Sequence, residues 1–361
     1  MFRRILALIQ KYERPISVAS MLGGFVIDQI FFNRIDLWQT QALFAAYAAV
    51  CFVSILMLHS IEERAVRGFP RPRWRGVIPI FTQFSLGGFW SAFFFFYGHS
   101  ASLPAAWPFL LLIVAILIGN EYFAKYHERL VFTSILFFFA LYSYAIFEVP
   151  IILGRMSNAI FLLSGLVAIA VFAFFVSLLR LLGRNRFRQD VWRIRAGALA
   201  VLVIINLFYF TNILPPLPLS AKAAGIYHAV WRVPGDYLAV TEREPWTVRY
   251  LGFTPTYHVV AGESLYAYSA VFAPTALTTT IIHRWQWYDP ATGSWQTRAS
   301  IRYPIVGGRD GGYRGYSAVL MDKTGTWRVD IMTDNGLIIA RLRFNTERVQ
   351  LPPPESTVNL P

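Results

Sequence analysis

The densest group of side chains able to do chemistry lies at 283–289, His-Arg-Trp-Gln-Trp-Tyr-Asp. On an extended strand, successive side chains alternate between faces. His283, Trp285, Trp287 and Asp289 therefore share one face, and Arg284, Gln286 and Tyr288 share the other. Exposed, the first face is an aromatic ligand-binding platform with a polar handle, able to stack on a sugar or peptide. Buried, it fills the space between two sheets, with its histidine hydrogen-bonded. In 326–331, Trp327, Val329 and Ile331 alternate inward with Arg328 and Asp330 outward, the pattern of a core strand. Arg309 and Arg314, in the glycine-rich stretch 307–315, are candidates for contacting an acidic ligand. That stretch is a hairpin loop and not a phosphate cradle, because it precedes a strand and lacks a Gly-Lys-Ser/Thr ending.

No catalytic, metal or cofactor set accompanies these residues. His228, His258 and His283 lie far apart in the chain, without His-x-His or His-x-x-x-His spacing. There is no Gly-x-Ser-x-Gly elbow, and the single cysteine, Cys51, sits in an apolar segment and reads as a small buried hydrophobe. Non-enzymatic action is the reading these absences favour. Ionisable residues within apolar segments form a second group, because they are costly there unless paired or hydrated. Asp28 and Glu148 fall toward the outer ends of two segments, where they could line a polar cavity; Glu121 and His59 fall at inner ends. Gln83 and Asn206 are nearer the middle, where an interhelical hydrogen bond worth ~1 kcal/mol is the simplest role.

The segments that carry these residues are seven, at 15–32, 37–59, 77–98, 105–121, 130–149, 159–182 and 196–213, each long enough to span a bilayer. A hydrophobic content of 56% with 15% charged residues fits an integral membrane protein. With the N-terminus cytoplasmic, 17 Lys and Arg fall on the inner side, at 3–14, 64–75, 125–129 and 180–195, against two outside, Arg34 and Arg155. The positive-inside rule favours that orientation. An odd number of spans then puts the C-terminal residues across the membrane. The net charge of +13 is mostly this topogenic excess, since the membrane half carries +10 and the remainder +3. A nucleic-acid partner is accordingly not expected. Trp74 and Trp192 near inner ends, and Trp38 and Trp107 at outer ends, suit an aromatic belt. Residues 1–14 read as a cytoplasmic amphipathic stretch before a first span retained as a signal anchor. Pro150 and the 215–218 prolines read as lying just beyond span ends.

Residues 214–225 read as a Pro-rich linker. Beyond them, strand-like runs at 226–233, 246–251, 264–272, 278–288, 298–304, 316–321, 326–333 and 337–344 predict an all-β, sandwich-like antiparallel domain over 226–348. Asp334-Asn-Gly336 suggests a type I′ hairpin. The tail, 349–361, reads as disordered. With no cysteine in it, this domain must be stabilised without a disulfide.

Within it, three motifs recur in order: His283-Arg-Trp-Gln-Trp-Tyr; Ile305-Val-Gly-Gly-Arg with Tyr313-Arg-Gly-Tyr-Ser317; and Gly325-Thr-Trp-Arg-Val-Asp followed by Thr333-Asp-Asn-Gly and Phe344. Over about 260–345 the chain resembles the bacterial family called domain of unknown function 2914. The resemblance implies a small β-rich extracytoplasmic module in a bacterium and carries no catalytic residues. Together these readings describe a multi-pass inner-membrane protein whose periplasmic β-sandwich binds an envelope protein or glycan. The alternatives are a transporter or membrane enzyme with a polar site at Asp28 and Glu148, and an envelope sensor signalling through a partner on the Arg-rich loops.

Overall fold

Five apolar stretches close into α-helices in the computed structural model, which describes residues 37–98, 111, 126–214, 218–242, 254–275, 277–309 and 311–360. They are α1 (Trp38–Val66), α2 (Ile78–Gly98), α3 (Tyr126–Leu153), α4 (Asn158–Leu182) and α5 (Arg184–Phe210). Among the described residues, α1, α3, α4 and α5 are long and apolar enough to cross a membrane. α2 carries Thr82, Gln83, Ser85 and Ser91 among its apolar side chains. Its Leu86, Phe89, Trp90, Ala92 and Phe93 are buried among protein side chains. Of the seven expected spans, the described residues support five helices, four of them membrane-like. The spans expected at 15–32 and 105–121 lie outside the described residues.

Two further expectations change in this unit. The basic stretch 184–195 is not a loop but the first three turns of α5, separated from α4 by Gly183 alone. Pro150 lies inside α3, near its end. The α4–α5 junction packs against α1: a Cβ at Gly183 would stand 2.4 Å from His59 Nε2, and that nitrogen lies 3.2 Å from the Leu179 carbonyl at the end of α4. Asn206 Nδ2 donates to Tyr142 Oη at 3.1 Å, the expected interhelical bond, here joining α5 to α3.

The β unit is described by itself. Its strands are β1 (Ser220–Tyr227), β2 (Ala229–Val233), β3 (Asp236–Glu242), β4 (Thr256–Val259), β5 (Ser264–Phe272), β6 (Thr278–Asp289), β7 (Ser294–Val306), β8 (Tyr313–Leu320), β9 (Gly325–Thr333), β10 (Ile338–Arg348) and β11 (Glu355–Leu360). They form three sheets, in the orders β1-β5-β8, β4-β10-β9-β6-β7 and β11-β3-β2. Pairing is antiparallel except between β4 and β10. Strand β5 is buried on both faces. Leu265, Ala267 and Val271 pack with Ile281, Trp285, Val329 and Ile331 of the five-stranded sheet, while Tyr268 and Ala270 pack with Val230, Ala239 and Leu360 of the third. The expected two-sheet sandwich is thus three layers, with β1-β5-β8 in the middle.

Local pairing corrects the boundaries. Strand β1 begins inside the supposed linker, and the run 226–233 is split between β1 and β2. The strand expected at 246–251 lies outside the described residues. Among the described residues Asn212 is the one non-glycine with positive φ, so Asp334-Asn335-Gly336 is not a type I′ turn. It is a three-residue loop in which Gly336, at φ +85°, takes the left-handed position and the Gly336 N–H bonds the Thr333 carbonyl at 3.0 Å. The tail expected to be disordered contains β11, paired with β3 from Glu355↔Glu242 to Leu360↔Tyr237, because Leu360 has an apolar site to fill. Deleting 355–361 should therefore destabilise the β unit, by roughly 2 kcal/mol from the loss of Leu360 burial alone. Thermal unfolding of the full chain in detergent checks this; an unchanged midpoint would contradict the pairing.

Candidate functional site

The pleat of β6 places His283 and Trp285 on the inner face, and neither has any solvent exposure. His283 Nε2 lies 2.9 Å from Ser269 Oγ and 3.1 Å from Tyr303 Oη, and those two hydroxyls are 2.6 Å apart. Its Nδ1 lies 2.8 Å from Ser317 Oγ, which also accepts from Trp285 Nε1 at 3.0 Å. Burial pushes the imidazole down to about 4. The Ser269–His283 distance suits a nucleophile and its base, but both residues are fully buried and their hydrogen-bonding groups are engaged within the core. The cluster ties the middle sheet to the five-stranded sheet. Trp287 is half-buried and donates to the Thr324 carbonyl at 2.9 Å.

The remaining predicted residues do not converge on this strand. Arg309 is exposed and stacks on Tyr313 at 5.1 Å. Arg314 reaches the β2–β3 turn, 3.2 Å from Asp236 Oδ1. Their glycine-rich loop follows from close backbone approach: a Cβ at Gly307 would stand 1.6 Å from the Pro274 carbonyl oxygen, and the Gly308 N–H bonds the Ala273 carbonyl. In the helical unit Glu148 is half-buried in α3, and His59 is fully buried against α4. Asp28 and Glu121 lie outside the described residues.

Two groups escaped the sequence reading. The first brings together His228 and His258, remote in the chain, on either side of Glu242. His228 Nε2 lies 2.9 Å from Glu242 Oε1 and its Nδ1 2.6 Å from Glu263 Oε1. His258 Nδ1 lies 2.7 Å from Glu242 Oε2, and its backbone N–H donates to Glu242 Oε1 at 2.6 Å. Glu355 of β11 stands 3.7 Å from His228. Both His228 nitrogens face carboxylates, the arrangement of an imidazolium. Burial, the largest single effect, lowers its pKa, but the hydrogen bonds and charges of Glu263 and Glu242 together raise it above the ordinary value. The ring nitrogens and carboxylates engage one another, and no metal-holding group of three or more occurs among the described residues. The strand spacing offers no advance signal of this network.

The second group covers the outer face of the five-stranded sheet. Register aligns Arg284, Asp330 and Arg341 in one row across β6, β9 and β10, and Gln286, Arg328 and Arg343 in another. Asp330 has no solvent exposure and accepts from Arg284 Nη2 at 2.9 Å and from Arg341 Nε and Nη2 at 2.5 and 3.0 Å. Burial pushes its carboxyl up, yet the arginines prevail and hold it below the usual range. Arg328 donates to Gln286 Oε1 at 2.8 Å and lies over the Trp295 ring at 4.2 Å. Its guanidinium pKa is lowered, by burial first and also by Arg341, Arg284 and Arg343. Two arginines thus bind one carboxylate, and Arg328 and Arg343 lie in the row beside it. Among the described residues, the buried Arg284 Nε has no hydrogen-bond partner. Outward alternation of Arg328 and Asp330 was legible in the sequence, but the rows needed the register.

Residues 278–346 match the family "Protein of unknown function (DUF2914)". The matched segment runs from β6 into β10 and contains the whole arginine face, whereas His228, Glu242, His258 and Glu263 lie before it. The family match does not extend to the N-terminal half. No curated protein matches the chain. A solved structure, "Pseudomonas fluorescens alkylpurine DNA glycosylase AlkC bound to DNA containing an abasic site analog", aligns at 14% identity over 86% of this chain and 82% of that one. Its TM-score of 0.21 supports no argument about fold or activity.

The two buried histidines impose opposite pH dependences. His228 favours its protonated form in the fold, so its contribution is complete below about pH 6.5 and is lost as pH rises through the higher folded value. His283 is neutral in the fold. The stability it allows is present above pH 6.5 and declines by roughly 3 kcal/mol as pH falls toward about 4. Denaturant unfolding of the full chain, followed by hydrogen exchange in β2 and β6, should lose the first slope in His228→Gln and the second in His283→Gln. Persistence of either slope in its own variant contradicts the assignment. Gly307→Ala should destabilise the same unit by more than 1 kcal/mol, because backbone and not a mobile side chain blocks the added methyl. Near-wild-type unfolding of that variant would count against it.

Proposed function

We propose that this chain is a multi-pass protein of the bacterial inner membrane. In this reading its N-terminus is cytoplasmic, and its periplasmic β domain binds an acidic envelope partner, protein or glycan, through the arginine face without catalysis. The observation that carries the reading is the cluster of positive charge on that face: Arg284 and Arg341 on the carboxylate of Asp330, with Arg328 and Arg343 in the adjacent row. Asp330 holds two of the arginines in place, and Arg328 is oriented by Gln286 and Trp295. A partner carboxylate or phosphate would relieve the mutual repulsion of the guanidiniums and accept planar, paired hydrogen bonds from them.

The side of display is supported by α5. Its first turns carry Arg184, Arg186, Arg188, Arg193 and Arg195, while its last turn has no basic residue. Chain leaving the end at Phe210 is then on the side away from the arginines.

Full-length protein in detergent should capture its partner from an envelope extract. Capture should fall at least tenfold in Arg328→Glu/Arg343→Glu and at 1 M salt, where the Debye length is ~3 Å. Undiminished capture by the double variant would falsify this reading. Protease added to intact spheroplasts checks the orientation: cleavage within 218–360 is expected, and complete protection contradicts it.

A further inference from the structure

A groove of about 700 Å³ runs along one stripe of α1 and is closed at its end by the segment joining α1 to α2. Val53, Met57, Ile61 and Arg64 line it, facing Trp74 and Leu182. The stripe is a helical one, with positions three or four residues apart on one face. From Val53 to Arg64 it extends about 16 Å at the helical rise, roughly half of the ~30 Å hydrocarbon core. Val53 and Met57 are exposed on this side of a helix apolar enough to lie in a membrane. The groove therefore opens toward acyl chains and ends in a cation at the depth of the headgroups.

The charge at that end is selective. Glu62 is buried and pairs with Arg71 at 3.1 Å and Arg75 at 3.0 Å, while Glu63, also buried, pairs with Arg67 at 3.6 Å. Both acidic residues of this end are thus taken up by other arginines. Among the described residues the exposed guanidinium of Arg64 enters no ion pair, and it lies at the mouth of the apolar groove. Trp74, 43% exposed, supplies the amphipathic ring that suits the headgroup boundary. We infer that this groove is a binding site for one anionic phospholipid, its acyl chain along Val53, Met57 and Ile61 and its phosphate on Arg64. A zwitterionic lipid fills the same groove but adds a choline ammonium beside the guanidinium, so the anionic lipid is preferred.

The full chain, purified in detergent and freed of lipid, is incubated with equal amounts of phosphatidylglycerol and phosphatidylcholine, and retained lipid is read by native mass spectrometry. Phosphatidylglycerol should be enriched about tenfold, within the range of a charge-assisted hydrogen bond. Arg64→Gln should abolish the preference while lipid is still retained, and Arg64→Lys should keep most of it. Met57→Trp/Ile61→Trp, which fills the groove, should reduce retention of both lipids. Helical circular dichroism and elution volume monitor folding of each variant, and a misfolded one is replaced by Met57→Phe. An unchanged preference in Arg64→Gln overturns the assignment, as does unchanged retention in the filled groove. Wild-type protein that retains neither lipid also overturns it and points to occupation by another part of the chain.

Discussion

Strand β5 has no solvent face, and the β unit is arranged around that constraint. A strand buried on both sides needs apolar side chains at odd and even positions alike. It also needs every backbone group paired within its sheet, since an unpaired one buried away from water costs about as much as a lost hydrogen bond. β5 meets the first demand with Leu265, Ala267 and Val271 on one side and Tyr268 and Ala270 on the other. It meets the second by lying between β1 and β8. Once it occupies the middle layer, the five-stranded sheet must cover one face and the β11-β3-β2 sheet the other. Ser269 is a fully buried polar residue within β5, and its hydroxyl is engaged by His283 and Tyr303 from the facing sheet.

The same alternation gives β6, β9 and β10 their two characters. Inner positions supply Trp285, Trp327, Val329 and Phe344 to the core, while outer positions supply Arg284, Arg328, Asp330, Arg341 and Arg343. Asp330 is the buried charge that makes the outer face coherent. It is ionised because the arginines more than offset its desolvation, and those arginines are ordered because it is ionised. In the helical unit Glu62 acts comparably, drawing Arg71 and Arg75 onto the end of α1. In both units charge is organised by placing a carboxylate where water cannot screen it.

Much of this architecture could be read residue by residue. The inward run Trp327, Val329, Ile331 and the outward pair Arg328, Asp330 were legible because pleating is a property of the backbone itself. The long apolar helices were legible for a similar reason, since length and composition decide whether a segment can span a bilayer. Boundaries were less secure: basic residues 184–195 read as a loop by their charge, yet they continue α5 because nothing in them breaks a helix. The tail 349–361 read as disordered from its prolines and polarity, yet its residues 355–360 pair as β11, with Leu360 received by an apolar site.

By itself, then, the sequence determined that this is a protein of apolar helices followed by a β domain, and which side chains share a face of each strand. Those are local matters, settled by covalent geometry and by the 2- and 3.6-residue periods. Tertiary structure alone decided that the His283–Trp285 face is interior, that a third sheet covers β5, and that His228 and His258 meet across Glu242. It also decided that four arginines from three strands share two adjacent rows with Asp330. Each of these depends on register between segments distant in the chain. Register is set by the joint burial of several strands and not by any one of them.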